Sequence, residues 1–510
     1  MRFVKRWTMG ALLVMSVAPA SASAVTNAHS FVSAPSIQPP KITITKRAER
    51  TAPGLLIASS FDFDSVRLQK PSENPSGPFI FDNSGQPVWF LPGPGDRQTL
   101  NTRIQRLGGR PVVTYWQGSL SNRGIPRTGV GYILGSNYKP VPGYVRSITG
   151  ANGWTLSPHE FLITRRGTAL ATMYKAVGGQ NLTAFGGSAN GSVWDNAIHE
   201  YDLKTGKLVY EWTMLGRLPL SDSKTRPGGP DPWDAYHINS IDEDAGGDFL
   251  ISNRSTWAIH KIDRQTNSVQ WTLGGKSSSF AQDVNAQFAF QHDARFGADD
   301  QITLFDNQCC GFKPDGTPAP PVYQQGSRGL ILRLNHAARS ANMVREYKSA
   351  GRISGTQSNA QVHSNGNVTV GWGQQPFVSE FDETGNLLFE ARFPGTQISY
   401  RALRQRWTGR PKARPSVALR RSGSRTKVYV SWNGATGVAA WRIKAGRSAK
   451  NLSVVSRRVR RTGFETRATV RSRGRLFQVQ ALSSRGRVLG TSSVVRDLST
   501  GNRFRATPDY

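Results

Sequence analysis

Residues 79–90 read FIFDNSGQPVWF, with apolar and polar side chains that alternate, break at an Asp-Asn-Ser-Gly turn, and alternate again into a tryptophan. Alternation with a period of two is typical of a half-buried β-strand. Two such runs joined by a short turn rich in Asn and Gly indicate an antiparallel hairpin. This segment therefore predicts a β-hairpin, and its pattern can be searched for elsewhere in the chain.

The same hairpin pattern returns five times, at intervals of roughly fifty to seventy residues. The copies are IHEYDLKTGKLVYEW (198–212), IHKIDRQTNSVQWTL (259–273) and FVSEFDETGNLLFEARF (377–393), with weaker ones in GYILGSNYKPVPGYV (131–145) and ILRLNHAARSANMVREY (331–347). Self-similarity at such a period is the signature of a repeat architecture. The first hairpin and its five copies predict six structural units.

A second kind of hairpin lies between these copies, where an extended segment meets a Gly or Asp turn and then a run of apolar residues. Examples are HEFLITRRGTALATMY (159–174), HINSIDEDAGGDFLISN (237–253), QHDARFGADDQITLFDN (291–307) and QVHSNGNVTVGWG (361–373). Two hairpins per unit give four strands per unit, which predicts an all-β fold with a six-bladed β-propeller over residues 46–406. A β-solenoid is the alternative, but it would need shorter repeats.

The pattern changes near residue 411. TKVYVSWNGATGVAAWRIKAG (426–446) and RLFQVQALSSRGRVLGTSSVV (475–495) are short strands separated by turns. They predict a small β-sandwich of the fibronectin type III or immunoglobulin kind over residues 411–505. Residues 25–45, rich in Ser, Pro and Thr, predict a flexible lead-in.

The N-terminus predicts export. Arg2, Lys5 and Arg6 precede an apolar run at 7–17 that is too short to span a bilayer, and small residues at 20–24 offer a cleavage site. We expect a cleaved signal peptide over residues 1–24 and a secreted or extracytoplasmic protein, with an uncleaved anchor as the alternative. No later segment is long and apolar enough to predict a transmembrane helix.

Two adjacent cysteines, Cys309 and Cys310, are the only ones in the chain. The fold of an exported chain with two cysteines does not depend on disulfides. The pair is expected either to form a strained vicinal ring or to stay free.

The net charge of +32 is concentrated in the tail. Residues 401–510 contain 27 Lys and Arg against three acids, a net +24, which leaves +8 for the first 400 residues. An inert, solvated surface is the favoured interpretation of this basicity. An anionic cell-surface polymer or a membrane surface as a partner of the tail is the alternative, and no specific nucleic acid is expected.

Three of the eight histidines stand where an inner strand of a unit begins: His159, His237 and His292. The first residues of inner strands open onto the central channel of a propeller, so these side chains are expected to converge. His363 lies in the sixth unit, where it could approach the channel, and is an additional candidate.

The predicted hairpins add further residues to this place, because positions equidistant from a turn face each other in an antiparallel pair. A turn centred after residue 245 puts Arg254 opposite His237, and Asn239 lies two residues on, on the same face. A turn at residues 299–300 puts Asn307 opposite His292.

This set of side chains could serve several chemistries. Three neutral imidazoles could bind Zn²⁺, but Arg254 would repel a cation and no carboxylate is placed to compensate. Arginine, asparagine and histidine are donors suited to a tetrahedral oxyanion such as sulfate or phosphate. An imidazole nitrogen beside them can act as a nucleophile that carries the transferred group. We expect no metal and no cofactor; ordinary strand-end histidines are the alternative.

Four of these segments, HEFLITRRGTAL, YHINSIDEDAGGDFLISNR, IDRQTNSVQWTLGG and FQHDARF with ITLFDN, resemble the bacterial arylsulfotransferases that work without 3′-phosphoadenylyl sulfate. The resemblance runs from about residue 52 to 406 and is strongest to the secreted branch with a trailing β-sandwich. It implies transfer of a sulfuryl group from an aryl sulfate ester to an acceptor phenol through a sulfohistidine.

The resemblance also implies roles for the individual residues. His292 would be the nucleophile. His237, Asn239 and Arg254 would hold the sulfonate oxygens, and His159 would orient the phenol oxygen or move its proton.

Two other classes of function remain open. A non-catalytic secreted propeller could bind a cell-surface polymer or glycan through its channel, with the basic tail as an anchor. An oxidoreductase or lyase propeller would use a bound cofactor or Ca²⁺, which the lack of acidic clusters on the inner strands disfavours.

Overall fold

The computed structural model describes residues 27–72, 76–229, 232–308 and 326–497. The prediction of an all-β fold is confirmed: the described part holds one short α-helix, Phe63–Arg67, and two single 3₁₀ turns, Thr183–Phe185 and Leu220–Asp222. None of these helices could reach across a bilayer. The predicted signal peptide, Cys309 and Cys310 lie outside the described residues.

The strands between residues 43 and 405 form six antiparallel sheets, which we number 1 to 6 around the molecule. In sheets 2, 3 and 4 each strand pairs with the next along the chain. Sheet 2 contains Gln98–Leu107, Arg110–Leu120, Pro126–Gly135 and Ser147–Thr149; sheet 3 contains Thr155–Ile163, Thr168–Gln180, Gly191–Asp202 and Leu208–Thr213; sheet 4 contains Ile238–Glu243, Phe249–Asn253, Ala258–Ile262 and Val269–Gly274.

Sheets 5, 6 and 1 add strands from elsewhere in the chain. Sheet 5 contains His292–Phe296, Gln301–Asp306, Arg328–Asn335 and Ser340–Lys348, with the short parallel strand Ala281–Gln282. Sheet 6 contains Asn359–Val362, Val368–Gly371, Phe377–Phe381 and Leu387–Arg392, with Thr43–Lys46. Sheet 1 contains Leu55–Asp62, Gly77–Phe81 and Pro87–Phe90, with Gln397–Ile398 and Ala402–Gln405. Sheet 1 thus joins strands from both ends of this region.

The hairpin of residues 79–90 shows why these sequences form the sheets. Phe79 pairs with Phe90, and the Asp82 carboxylate accepts the backbone N–H groups of Ser84 and Gln86, which closes the turn. Alternation then buries Phe79, Phe81 and Phe90 against the neighbouring sheet 6. The alternation of polar and apolar residues in the sequence therefore matches the alternation of side chains between the two faces of the sheet.

Apolar clusters lie between successive sheets and close a ring. One cluster joins sheets 2 and 3, and others join 3 to 4, 4 to 5, 5 to 6, 6 to 1 and 1 to 2. The first strands of successive sheets contact one another around the centre. The result is a β-propeller-like all-β fold with the inner strands lining its middle.

Closure of the ring removes two arginines from the charge counted for the basic tail. Leu56 pairs with Arg404 and Ala58 with Ala402, and Arg401 and Arg404 are 1% and 2% exposed. These two arginines were counted with the tail by charge alone, yet they are buried in the ring and pair with its carboxylates.

Residues 416–496 form two further sheets around one core. Sheet 7 contains Ser416–Ser422, Arg425–Ser431 and Glu465–Arg471; sheet 8 contains Ala440–Ser448, Asn451–Arg460, Leu476–Leu482, Val488–Thr491 and Val495–Arg496. Val428 from sheet 7 and Trp441, Ile443 and Phe477 from sheet 8 are buried in their shared core.

The expected flexible lead-in at residues 25–45 is packed in its described part. Phe31 lies against Phe464, with ring centroids 4.4 Å apart. Ser33 is buried, and both its backbone N–H and its hydroxyl donate to Glu465 Oε2 at 2.6 Å. The expectation fails because composition alone cannot show that a Ser-rich segment has a partner from sheet 7 to pack against.

Sheets 7 and 8 also contact the ring directly. The side-chain amide of Asn433 accepts the Phe90 N–H at 3.0 Å and donates to the Phe90 carbonyl at 2.8 Å. The Tyr138 hydroxyl donates to Gly434 O at 2.9 Å and accepts from Trp407 Nε1 at 2.8 Å. The tail is therefore fastened to sheets 1 and 2.

We predict that a chain ending at Arg410 keeps its turnover but melts at least about 5 °C lower than the full chain, since it loses the Gly434 carbonyl that accepts the Tyr138 hydroxyl and the Phe464 ring that packs against Phe31. Thermal unfolding measures this. Asn433→Ala should give part of the loss, and Asn451→Ala, at an exposed strand start, should give none. An unchanged melting temperature of the shortened chain would contradict the interface.

Candidate active site

A cavity of about 890 Å³ opens near the first residues of the inner strands, and His159, His237, His292 and Arg254 all line it. Each histidine comes from a different sheet. The sequence placed them at equivalent positions of three units, and the ring brings these positions to one place. The site is therefore built by the convergence of sheets 3, 4 and 5.

The hairpin of sheet 4 sets the position of Arg254. Ile238 pairs with Asn253, and the Arg254 N–H donates to His237 O at 2.9 Å, which is the register derived from the sequence. The Arg254 guanidinium lies 4.7 Å from the centre of the Phe290 ring, and one of its terminal nitrogens donates to Gly355 O at 3.3 Å. Its Nε is buried and has no partner among the described residues, so it can donate to a bound anion.

His237 has a left-handed backbone, with φ of 57°. This conformation costs a non-glycine residue roughly 1–3 kcal/mol and is concentrated at functional sites. The ring Nδ1 donates to Asp234 Oδ2 at 2.5 Å, since a carboxylate can only accept. Asp234 therefore orients the imidazole and presents its Nε2 to the cavity.

The partners of His292 define its tautomer. Its Nδ1 lies 2.8 Å from Asn307 Oδ1 and 3.0 Å from Phe290 O, both acceptors, so Nδ1 carries the proton. Its Nε2 accepts the Gln357 N–H at 3.2 Å. The atom with the available lone pair is Nε2, the one required of a nucleophile.

The pKa of His292 lies well below its usual value. Burial is the largest cause, because it disfavours the charged imidazolium, and the positive charge of Arg254 is the next. The hydrogen bond with Asn307 acts in the opposite direction. Burial likewise holds the pKa of His159 well below its usual value, with His237 and His292 adding to the effect. His159 and His292 are therefore neutral at physiological pH.

His159 is held within an aromatic wall. Its ring centroid lies 5.0 Å from that of His237, 5.6 Å from Tyr400 and 6.0 Å from Tyr174. Its Nδ1 is hydrogen-bonded to the Ser157 hydroxyl. The Nε2 edge of His159 therefore faces the same space as His237, beside rings on which an aryl group could stack.

The structure corrects the position of Asn307. The predicted register puts it opposite His292, but His292 pairs with Phe305. The hairpin is already one residue out of the predicted register at Arg295, which pairs with Thr303, and a register shift between His292 and Arg295 adds one more. Asn307 still reaches His292 through its side chain, and its Nδ2 donates to Ser354 O at 2.8 Å. Both ends of the amide therefore have protein partners, and the Asn307 side chain positions the imidazole.

Asn239 also differs from the expectation. A register shift between Ile238 and Ser240 turns this residue away from the face of His237. Asn239 is fully buried, and its Nδ2 donates to Gln291 O at 2.7 Å. It lies behind the histidines, outside the cavity lining. Through this hydrogen bond Asn239 holds the start of the neighbouring strand His292–Phe296 of sheet 5 in place.

The loop before sheet 6 supplies side chains that the sequence did not predict. Thr356 and Gln357 line the cavity, and the Thr356 hydroxyl is buried without a partner among the described residues. Gln357 and Ser358 have φ of 68° and 92°. This strained loop aims one hydroxyl and one N–H group at the space beside His292. No histidine or repeat marks the loop, so sequence patterns gave no signal for it.

The lining as a whole combines positive charge with aromatic surface. Five arginines and one acid among the described residues contribute to it: Arg67, Arg123, Arg127, Arg226, Arg254 and Asp234. Its aromatic members include Phe61, Phe63, Trp194, Trp233 and Tyr400. Such a cavity favours a flat aromatic molecule that carries a negative charge. His363 lines a different cavity, where its Nε2 lies 2.7 Å from Thr369 Oγ1.

The family model of the arylsulfotransferases, described as "Arylsulfotransferase (ASST)", matches residues 103–394, more than half of the chain. The chain belongs to the arylsulfotransferase family. The match covers the three histidines, Arg254 and the Thr356 loop, and membership supports aryl sulfotransfer as the general class of reaction. The family implies aryl sulfates as donors and phenols as acceptors. No curated protein matches the chain.

Solved structures show distant likenesses. A protein of unknown function from Bacteroides caccae is 12% identical, covering 69% of this chain and 100% of its own, with a TM-score of 0.39. The β-propeller domain of Cps50 (Swd1) from Myceliophthora thermophila is 12% identical, covering 76% and 95%, with a TM-score of 0.33. Virginiamycin B lyase from Staphylococcus aureus is 11% identical, covering 76% and 95%, with a TM-score of 0.27. At these values the likenesses carry no inference about activity.

We predict that Thr356→Val lowers kcat for aryl sulfotransfer about a hundredfold, as loss of one preorganised donor does elsewhere. The change keeps the shape of the side chain and removes the hydroxyl. Thr356→Ser, which keeps the hydroxyl, should retain activity within a few-fold. Steady-state kinetics on both variants test this, and equal losses would show that the methyl group matters instead.

Proposed function

We propose that this chain is an exported aryl-sulfate sulfotransferase that works without a nucleotide cofactor. Its six sheets are the blades of a β-propeller, and sheets 7 and 8 form a β-sandwich of the fibronectin type III or immunoglobulin kind. The predicted signal peptide would direct it out of the cytoplasm. Its donor is an aryl sulfate ester, its acceptor is a phenol, and the sulfuryl group passes through a covalent intermediate on His292.

One observation carries this proposal: an unprotonated Nε2 on a buried imidazole beside Arg254, in a cavity lined by arginines and aromatic rings. Burial and the neighbouring guanidinium keep the lone pair free of a proton. The same guanidinium attracts the sulfate ester. Nucleophile and anion-binding group are therefore adjacent, as an in-line displacement at sulfur requires.

In the first half-reaction, His292 Nε2 attacks the sulfur of the aryl sulfate. The N–S bond forms, the bond from sulfur to the phenolic oxygen breaks, and the electron pair leaves with the phenolate. The sulfonate oxygens are held by Arg254 Nε, the Thr356 hydroxyl and the Gln357 N–H, which faces His292 Nε2 in the free enzyme. These donors stabilise the charge spread over the oxygens in the transition state.

The leaving phenolate takes a proton from His237, whose ring is held in place by Asp234. In the second half-reaction the acceptor phenol gives its proton to His237, its oxygen attacks the sulfur, and the N–S bond breaks. His292 is then free again and the acceptor has become the sulfate ester. His159, neutral and packed on Tyr400, orients the phenolic oxygen between the two steps.

The surroundings of the three imidazoles favour an oxyanion over Zn²⁺. Each Nδ1 has a protein partner, in Ser157, Asp234 or Asn307, so that only the Nε2 atoms face a ligand, an arrangement that on its own suits a metal as well as an anion. Arg254 adds a fixed positive charge beside the Nε2 atoms, which would oppose a divalent cation. We therefore propose that the chemistry needs neither a metal nor a cofactor.

We predict that His292→Ala abolishes transfer, because the covalent route disappears with its nucleophile. Arg254→Gln should leave measurable activity, reduced roughly a hundred- to a thousandfold, because it removes one donor of several. The wild-type enzyme is incubated with 4-nitrophenyl sulfate without an acceptor and then quenched. Mass spectrometry should show the gain of one SO₃ group on the peptide containing residues 291–295.

The control for this experiment is His363→Ala, which removes a histidine from a different cavity and should leave both adduct and turnover intact. An adduct on His237 or His159 would move the nucleophile within the same mechanism. Kinetics that require both substrates bound at once, with no adduct, would contradict the sulfohistidine.

The lowered pKa of His292 gives a prediction about pH. The neutral form of a group with a lowered pKa persists to lower pH, so the single-turnover release of 4-nitrophenol should hardly change between pH 7.5 and 6. An ordinary imidazole, with a pKa of about 6.5, would be about three-quarters protonated at pH 6 and lose about fourfold. In the Arg254→Gln variant the rate should begin to fall at a higher pH than in the wild type, because the positive charge that disfavours protonation of His292 is gone. Identical profiles in both enzymes would contradict this assignment.

A further inference from the structure

Sheet 7 turns a strongly basic face to solvent. Alternate residues of its strands point inward, with Val417, Val428 and Val470 in the core shared with sheet 8. The intervening residues point outward and are exposed cations: Arg420, Arg425, Lys427, Arg467 and Arg471. We call these five residues the basic face. It carries no exposed large apolar side chain.

Like charges oppose one another directly on the basic face. Arg425 pairs with Arg471, and Lys427 pairs with Arg420, across neighbouring strands. Like-charged residues at directly opposed positions destabilise a sheet. A sheet that needed only solubility could intersperse both signs, so the arrangement points to an anionic partner that offsets the repulsion.

The two described acids of this region are engaged by other partners. Glu465 lies on the same face of its strand as Arg467, and its carboxylate accepts the backbone N–H and the hydroxyl of Ser33. Asp497 lies 3.6 Å from Arg421, whose side chain is on the inner side. Arg425, Lys427, Arg467 and Arg471 form no ion pair with a described residue, so no described acid neutralises these four charges.

The spacing of the cations fits a linear chain of phosphates. Alternate residues of one strand lie about 6.7 Å apart and neighbouring strands about 4.8 Å apart. Arg425 and Lys427 are one such step apart along their strand, and Arg467 and Arg471 are two steps, or about 13 Å, apart along theirs. Phosphates separated by a three-carbon unit have a comparable spacing when the polymer is extended. Four of the five cations are arginines, which bind tetrahedral oxyanions through two hydrogen bonds at once.

Two other polyanionic surfaces fit less well. Single-stranded nucleic acid is bound with aromatic platforms on which bases stack, and the one aromatic residue here, Tyr429, is 9% exposed beneath Arg420. An anionic membrane is usually engaged with apolar side chains that enter the interface, which the basic face lacks.

We propose that the basic face of sheet 7 binds a linear, phosphodiester-linked polyol polymer and so retains the enzyme at a surface that carries one. This binding is independent of the aryl sulfotransfer proposed above, because no residue of the basic face lines the catalytic cavity. It assigns the tail a role in location while the ring performs the chemistry.

The test measures binding of the full chain to soluble poly(glycerol phosphate) by calorimetry over a series of salt concentrations. The triple variant Arg425→Gln, Arg467→Gln and Arg471→Gln should bind at least about tenfold more weakly at 0.1 M salt, and the slope of log K against log salt should fall by about two. Its melting temperature at low salt should equal or exceed that of the wild type, since opposed like charges are removed.

The matched control is Arg457→Gln, Arg458→Gln and Arg460→Gln, which removes the same charge from an exposed strand of sheet 8. It should bind the polymer almost as tightly as the wild type. An equal loss in both variants would overturn the proposal, because binding would then follow net charge alone.

Single-stranded oligonucleotides and vesicles containing anionic lipids serve as competing probes. Tighter binding of either than of the polymer, lost in the basic-face variant, would assign the surface to that partner and overturn the proposal. Turnover of 4-nitrophenyl sulfate should be the same in both triple variants, which separates this test from that of the catalytic proposal.

Discussion

The structure depends on a buried charge network at the centre of the ring. Arg401 lies 2.8 Å from Asp293 Oδ1 and donates to His159 O at 2.8 Å and Asn239 O at 3.0 Å, while Arg295 lies 2.5 Å from both Glu160 and Asp293. Loss of one partner of such a buried pair costs about 3–5 kcal/mol, because the other charge stays buried. These contacts tie sheets 1, 3, 4 and 5 together at the point where their inner strands meet.

The network also builds the site above it. Glu160 directly follows His159, and Asp293 directly follows His292, so neighbouring side chains on each strand diverge. The imidazoles enter the cavity while the carboxylates enter the network, and Asp293 adopts a left-handed backbone, with φ of 57°, at this position. Placing Arg401 under the histidines contributes to lowering the pKa of both His159 and His292. One set of contacts therefore supports the ring and adds to the effect of burial that lowers the pKa of His292.

Much of the fold was predictable because a hairpin has a period that survives in the sequence. The register linking His237 with Arg254 followed from counting residues about a turn. The register at Asn307 did not, because the pairing next to the turn is one residue off the counted one and a local shift after His292 adds another, and neither leaves a trace in composition. Thr356 and Tyr400 were missed since they come from loops of sheets that contribute no histidine. Arg401 was placed in the propeller but its charge was counted with the tail, because formal charge carries no information about burial.

Arg401 and the basic face show how identical residues act differently according to their surroundings. In the ring, arginine is enclosed by carboxylates and carbonyls, so its charge is neutralised locally and fixes the geometry of the backbone. On sheet 7, arginines such as Arg425 face other cations across strands, and water and salt screen them within about 8–10 Å. The first arrangement is insensitive to ionic strength and serves the chemistry. The second responds to salt, which suits reversible attachment to a charged surface.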